Sequence, residues 1–112
     1  MGRVYDIVNR VANANQKPTI RLDEEHEFKI NNSFTAAIAI KAYSEDDKLS
    51  DEERIKKIFT VALNKEARSY IDSQEYAMAV YITILNAIMA AISDMSLEEM
   101  EQISKKQTPS AE

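Results

Sequence analysis

The stretch EYAMAVYITILNAIMAAISD, residues 75–94, decides the fold of this chain because it is apolar where the rest is polar. Between its acidic ends, residues 76–92 carry no charge, although 29% of the whole sequence is charged. As an α-helix these seventeen residues rise about 26 Å, short of the roughly 30 Å hydrocarbon core of a bilayer. We therefore expect a central helix over about 75–93 in a cytoplasmic protein, with no membrane span.

Helical spacing divides this apolar run into two faces. The larger residues recur along one face, which we expect to fill the protein's own core; they are Met78, Ile82, Leu85, Met89 and Ile92. The other face is small or polar, and either it faces water or another helix of the same chain, or it forms a docking groove. Small residues permit close approach, and methionine adapts to varied partners. The candidate partner-binding residues are Ala79, Thr83, Asn86, Met89 and Ala90.

Two elements are predicted before the first long helix. Apolar residues between Val4 and Val11 recur at i, i+3, i+4 and i+7, which predicts a short amphipathic helix before Pro18. Alternation of apolar and polar residues over 18–31 then predicts one β-hairpin. Its apolar residues must share a face. We therefore expect Leu22 to oppose Phe28 and Ile20 to oppose Ile30, around a loop centred on Glu25 that includes His26.

Four to five helices are predicted after the hairpin, with local capping signals at most of their ends. The first is capped by Asn32 or Ser33 and is expected to turn Phe34, Ala37, Ile38 and Ala42 inward. The pairs Ser50 with Glu53 and Ser96 with Glu99 predict capping boxes. Asn64 is predicted to end a helix in the left-handed conformation, and Asp72 and Glu75 to cap the central apolar helix. The fold class is thus α+β, mainly α, in a single domain over 1–104 with a flexible tail over 105–112.

Composition narrows the range of functions. The chain has 112 residues, with 19 acidic and 14 basic side chains, and its net charge of −5 argues against nucleic-acid binding. It has no cysteine and one glycine, which excludes disulfides, thiolate metal sites and glycine-rich phosphate loops. His26 is the one histidine and is expected to be a solvated loop residue rather than a metal ligand or catalytic base. We expect no enzyme activity and no cofactor.

Residues 45–53 hold six acids and one lysine. Half of these acids suit the start of the following helix, where the helix dipole favours negative charge. Asp46 and Asp47 are left over, either as a solvated loop or as a contact for a basic partner.

The second half of the chain resembles tail assembly chaperones of long-tailed phages and related prophages of Gram-positive bacteria. The resembling segments are DEERIKKIFTVALNKEARSYIDS and EYAMAVYITILNAIMAAISDMSLEE, and the hairpin TIRLDEEHEFKIN also looks like the opening of such proteins. The resemblance covers roughly residues 18–103.

The resemblance implies a protein that binds the long helical tape-measure protein and keeps it soluble during tail assembly. It also implies contact with tail-tube protein, self-association as a homo-oligomer, residence in the cytoplasm of the bacterial host and absence from the mature virion. Two other interpretations stay open. One is a structural phage component, such as a head–tail joining or tail protein; the other is an acidic regulator that binds a basic protein through Asp46 and Asp47.

Overall fold

The computed structural model describes residues 2–107, which form six helices and a two-stranded antiparallel sheet. The predicted class, α+β and mainly α, is confirmed. In chain order the elements are α1 (Val8–Ala14), β1 (Thr19–Asp23), β2 (His26–Lys29), α2 (Phe34–Ser44), α3 (Asp51–Ala62), α4 (Lys65–Gln74), α5 (Met78–Ile92) and α6 (Leu97–Gln107). Of the predicted tail, residues 105–107 continue α6, and 108–112 lie outside the described residues.

The hairpin forms where it was predicted, but its register differs. Ile20 opposes Phe28, not Ile30, and Asp23 opposes His26, with a bulge between Arg21 and Asp23. The cause is local, since the Asp23 carboxylate accepts a hydrogen bond from the backbone N–H of Glu25 at 2.9 Å. This Asx turn closes a tight two-residue loop and shifts the register of the two strands. The bulge compensates for the shift, so the apolar side chains stay on one face.

Helices α2, α3 and α4 begin at side-chain caps. Ser33 caps α2, and Ser50 and Glu53 form the predicted capping box at α3. The prediction for Asn64 was wrong, because its φ is −75° and its side chain accepts the N–H of Ala67 at the start of α4. The prediction for Asp72 and Glu75 was also wrong, because Asp72 lies within α4 and Glu75 is the left-handed C-cap of α4, with φ of 51°. Helix α5 begins only after Ala77, without a side-chain cap.

The core is built around α3, which packs against α2, α4 and α5. The fully buried side chains of the core come from α2, α3, α4, α5 and the residue that follows β2. The largest are Ile30, Ile40, Ile58, Ile71 and Ile88. Isoleucine is stiff and apolar, so this set specifies one well-packed arrangement. The orientation of α2 differs from the prediction: Ala36 and Ile40 face the core, whereas Phe34 and Ile38 face solvent.

The N-terminal segment stands apart from this core. Every residue of α1 is exposed, and the predicted helix from Val4 begins only at Val8. The radius of gyration is 16.1 Å, above the roughly 13 Å expected for a compact chain of this length. The longest dimension is 59 Å. The N-terminal segment therefore extends from the domain rather than adding to its core.

Candidate partner-binding surface

The face that α5 buries is not the predicted one. Ile84 and Ile88 point into the core, whereas Met78 is 54% exposed and Ile82 is 45% exposed. The sequence pattern failed here because α5 is apolar around most of its circumference, so several faces satisfied helical periodicity. Tertiary packing, which includes contacts of α5 with α3 and α6, selects the buried face. It leaves large apolar side chains on the solvent side of the first half of α5.

The candidate partner-binding residues on this helix differ in solvent exposure. Ala79 and Thr83 are exposed, Asn86 and Met89 are half-buried, and Ala90 is only 4% exposed. The hydroxyl of Thr83 donates to the carbonyl of Ala79 at 3.0 Å. That bond satisfies the hydroxyl within the helix and makes this part of the surface less polar. The accessible part of the predicted face is therefore its N-terminal half.

A groove of about 570 Å³ adjoins the exposed half of α5. It lies between α3, α4 and α5, and Met78 is part of both the groove and the exposed face. Its apolar lining comes from Ile55, Phe59, Met78 and Tyr81, and the Phe59 and Tyr81 rings stack with centroids 5.9 Å apart. We call the groove together with Met78, Val80 and Ile82 the α5 surface.

Charged residues of both signs line the same groove. They are Glu52, Lys56, Arg68 and Asp72. Lys56 Nζ lies 2.9 Å from Glu52 Oε2, and this hydrogen bond raises the pKa of Lys56. An apolar groove is the kind of surface into which an amphipathic helix can lay its apolar face.

His26 does not lie free in a solvated loop, and that prediction was wrong. It is half-buried and its ring stacks on Tyr70, with centroids 3.9 Å apart. Its Nδ1 lies 2.8 Å from Asp23 Oδ1, and the hydroxyl of Tyr70 donates to the other oxygen of the same carboxylate. No local signal identifies this contact, because Tyr70 belongs to α4, far along the chain from the hairpin.

Hydrogen bonds to one carboxylate, that of Asp23, hold the cluster of Asp23, His26 and Tyr70 together. The hydrogen bonds from Tyr70 and His26 lower the pKa of Asp23 to about 2, and the bond to Asp23 raises the pKa of Tyr70 to about 12. The cluster ties the hairpin tip to α4.

The acidic connection between α2 and α3 is held by Arg54. Its guanidinium donates to the carbonyls of Asp46 at 2.8 Å, Leu49 at 3.1 Å and Tyr43 at 3.3 Å. The Asp46 carboxylate also accepts the N–H of Lys48 at 2.9 Å. Part of the acidic cluster therefore shapes the loop, a role that the sequence analysis did not assign. Asp47 is exposed.

Within residues 2–107, no group of histidine, aspartate and glutamate side chains is placed to hold a metal ion. No single helix in this part of the chain is long and apolar enough to cross a membrane. Only α5 and the first part of α6 taken together, to Ile103, reach the required length and composition, and they are bent by 107° where they meet.

Comparison with protein families gives one assignment. The family described as bacteriophage Gp15 protein matches residues 16–111, which is most of the chain. The chain therefore belongs to the bacteriophage Gp15 protein family, a family of phage proteins. Comparisons with curated proteins and with solved structures gave no significant match. The match begins after α1, so the family assignment covers the hairpin and the remaining helices.

Proposed function

We propose that this chain is a tail assembly chaperone, which binds helices of the phage tape-measure protein and keeps that protein soluble in the host cytoplasm. The observation that carries the proposal is the α5 surface, where Met78 and Ile82 stay exposed beside an apolar groove. Membership of a phage protein family supports a role of this kind in a phage. Self-association, contact with tail-tube protein and absence from the mature virion are parts of the same proposal.

Binding of a client helix covers apolar surface on both proteins. A tape-measure helix that is not yet assembled exposes its apolar stripe, and burying that stripe gains roughly 25 cal/mol per Å² removed from water. The groove between α3, α4 and α5 offers the matching concave surface. Met78 stands at its edge, and its unbranched side chain adapts to different helix registers. Such a surface suits a chaperone that must hold many similar segments in turn.

Co-expression tests this proposal. The tape-measure protein of the same phage is produced in bacteria with the wild-type chain, with Ile82→Glu, or with Gln102→Glu. Ile82 lies on the α5 surface and Gln102 is an exposed residue of α6, so each variant adds one negative charge at an exposed position. We expect the wild type and Gln102→Glu to keep the tape-measure protein soluble and to co-purify with it. Ile82→Glu should lose at least about tenfold of the co-purified protein.

Two results would count against the proposal. If Ile82→Glu folds and still solubilises the tape-measure protein, the α5 surface is not the binding site. If mass spectrometry finds the chain at stoichiometric amounts in purified virions, it is a structural phage component.

A further inference from the structure

A second apolar surface of this protein lies on the N-terminal arm, which we define as residues 2–14. Val4, Tyr5, Ile7, Val8 and Val11 are all exposed large apolar residues. Together with Asp6 they surround a shallow concave space of about 560 Å³ on the arm itself. Each of these five apolar side chains is at least 50% exposed, and exposed apolar clusters of this kind mark interaction sites.

A complementary face lies on α2. Phe34 is 81% exposed and Ile38 is 53% exposed, and the two residues are one helical turn apart on the same side. This face is close to the base of the arm, because the Asn32 side chain donates to the carbonyl of Gln16 at 3.4 Å. The N–H of Ile30 also donates to the carbonyl of Pro18 at 2.8 Å. With its base held there, the arm leaves the α2 face of its own chain uncovered.

Charge favours contact between the arm and the domain. The arm, residues 2–14, contains Arg3 and Arg10 against Asp6, a formal charge of +1, so the remaining chain carries −5 − 1 = −6. The most acidic segment, residues 45–53, comes directly after α2. A basic arm along α2 would therefore place apolar residues on Phe34 and Ile38 and cations near the acidic connection.

The length of the arm also agrees with the length of α2. Helix α2 has 11 residues and spans about 16 Å at 1.5 Å per residue. Helix α1 has 7 residues and spans about 10 Å, and the extended residues before it add up to about 20 Å. The arm is therefore long enough to follow α2 from its start to the acidic connection.

We infer that the arm of one protomer lies along α2 of a second copy and covers Phe34 and Ile38, and that the second copy returns the contact. In a two-fold symmetric dimer this contact occurs twice, so both arms and both α2 faces are buried. The doubled buried area favours a stable interface. This inference deepens the self-association part of the proposed function and does not depend on the identity of the client.

Disulfide trapping tests the contact, because the chain has no cysteine of its own. Val8→Cys and Ile38→Cys are purified separately, one with a mass tag, then mixed and oxidised. We expect a disulfide-linked heterodimer. The matched control replaces Val8→Cys by Asn9→Cys, its exposed neighbour on α1, and should give at least about fivefold less heterodimer because adjacent helical residues face different directions.

Two outcomes would overturn the inference. One is a yield of heterodimer no higher than the control. The other is a Val8→Cys, Ile38→Cys double variant that closes its disulfide within one chain while the mixed single variants do not link, since the arm then folds onto its own α2.

Sedimentation of the full chain gives an independent measurement. We expect a dimer whose dissociation constant rises at least about tenfold in Val8→Asp and in Ile38→Asp, with Asn9→Asp unchanged. Val8 and Ile38 are both exposed, so the variants should fold, which circular dichroism checks. A wild-type chain that stays monomeric at about 100 μM contradicts the inference.

Client capture separates this inference from the proposed function. Val8→Asp should still solubilise the tape-measure protein, because its change lies away from the α5 surface. A cross-linked arm together with unimpaired capture by Ile82→Glu would support the arm contact and reject the proposed binding site.

Discussion

The hydroxyl of Tyr70 donates a hydrogen bond to the carboxylate of Asp23, which lies 47 residues earlier in the chain. The same carboxylate accepts from His26 Nδ1 and from the backbone N–H of Glu25. One side chain therefore closes the hairpin and attaches it to α4. This matters for the α5 surface because α4 also provides one wall of the groove, through Arg68 and Asp72.

The attachment predicts a specific acid sensitivity. The folded pKa of Asp23 is about 2, below its ordinary 3.8, so its contribution to stability is present above about pH 4 and is lost as the pH falls toward 2. Tyr70→Phe removes the largest cause of this shift. We expect NMR titration of the carboxyl carbon to show the pKa of Asp23 rising toward its ordinary value in Tyr70→Phe. An unchanged pKa would contradict the hydrogen bond.

The orientation of α5 predicts unequal effects for two isoleucines on the same helix. Ile88 is fully buried and Ile82 is 45% exposed. Ile88→Ala should lower the free energy of unfolding by about 2–5 kcal/mol, and Ile82→Ala by less than about 1 kcal/mol. Urea unfolding of both variants measures the difference. Equal losses would contradict this orientation of α5, and a larger loss for Ile82→Ala would mean that α5 packs through the face first predicted from its sequence.

The break between α4 and α5 predicts whether one substitution stabilises or destabilises the protein. Glu75 has φ of 51° and ψ of 47°, a conformation that costs a residue with a Cβ atom about 1 kcal/mol and costs glycine little. Glu75→Gly should therefore raise the free energy of unfolding by about 0.5–1 kcal/mol. In a continuous helix the same change would lower it by about 1 kcal/mol. Thermal unfolding followed by circular dichroism distinguishes the two signs.

Features set by neighbouring residues were predictable from the sequence. The capping boxes at Ser50 and Ser96 both form, because each needs only a glutamate three residues later. The hairpin was also predictable from its alternation, whereas its register was not. The bulge after Arg21 follows from the Asp23 turn, and several registers keep the apolar side chains on one face.

Features set by distant residues were not predictable. Helix α5 is apolar on most sides, so its packing against other elements, α3 and α6 among them, selects Ile84 and Ile88 for the core. The surroundings of His26 depend on Tyr70, which no local pattern links to the hairpin. The exposure of the candidate binding residues also depends on distant residues. The sequence located the helix, but tertiary packing leaves Ala79 exposed and buries Ala90.

The most direct test of the central claim measures binding of a fluorescent peptide from the tape-measure protein to the α5 surface. The affinities of the wild type, Ile82→Glu and Gln102→Glu are compared at low and high salt. We expect Ile82→Glu to weaken binding at least about tenfold and Gln102→Glu to leave it unchanged. Wild-type affinity should survive high salt because the contact is mainly apolar. Equal binding by all three proteins, or wild-type binding that collapses with salt, would contradict it.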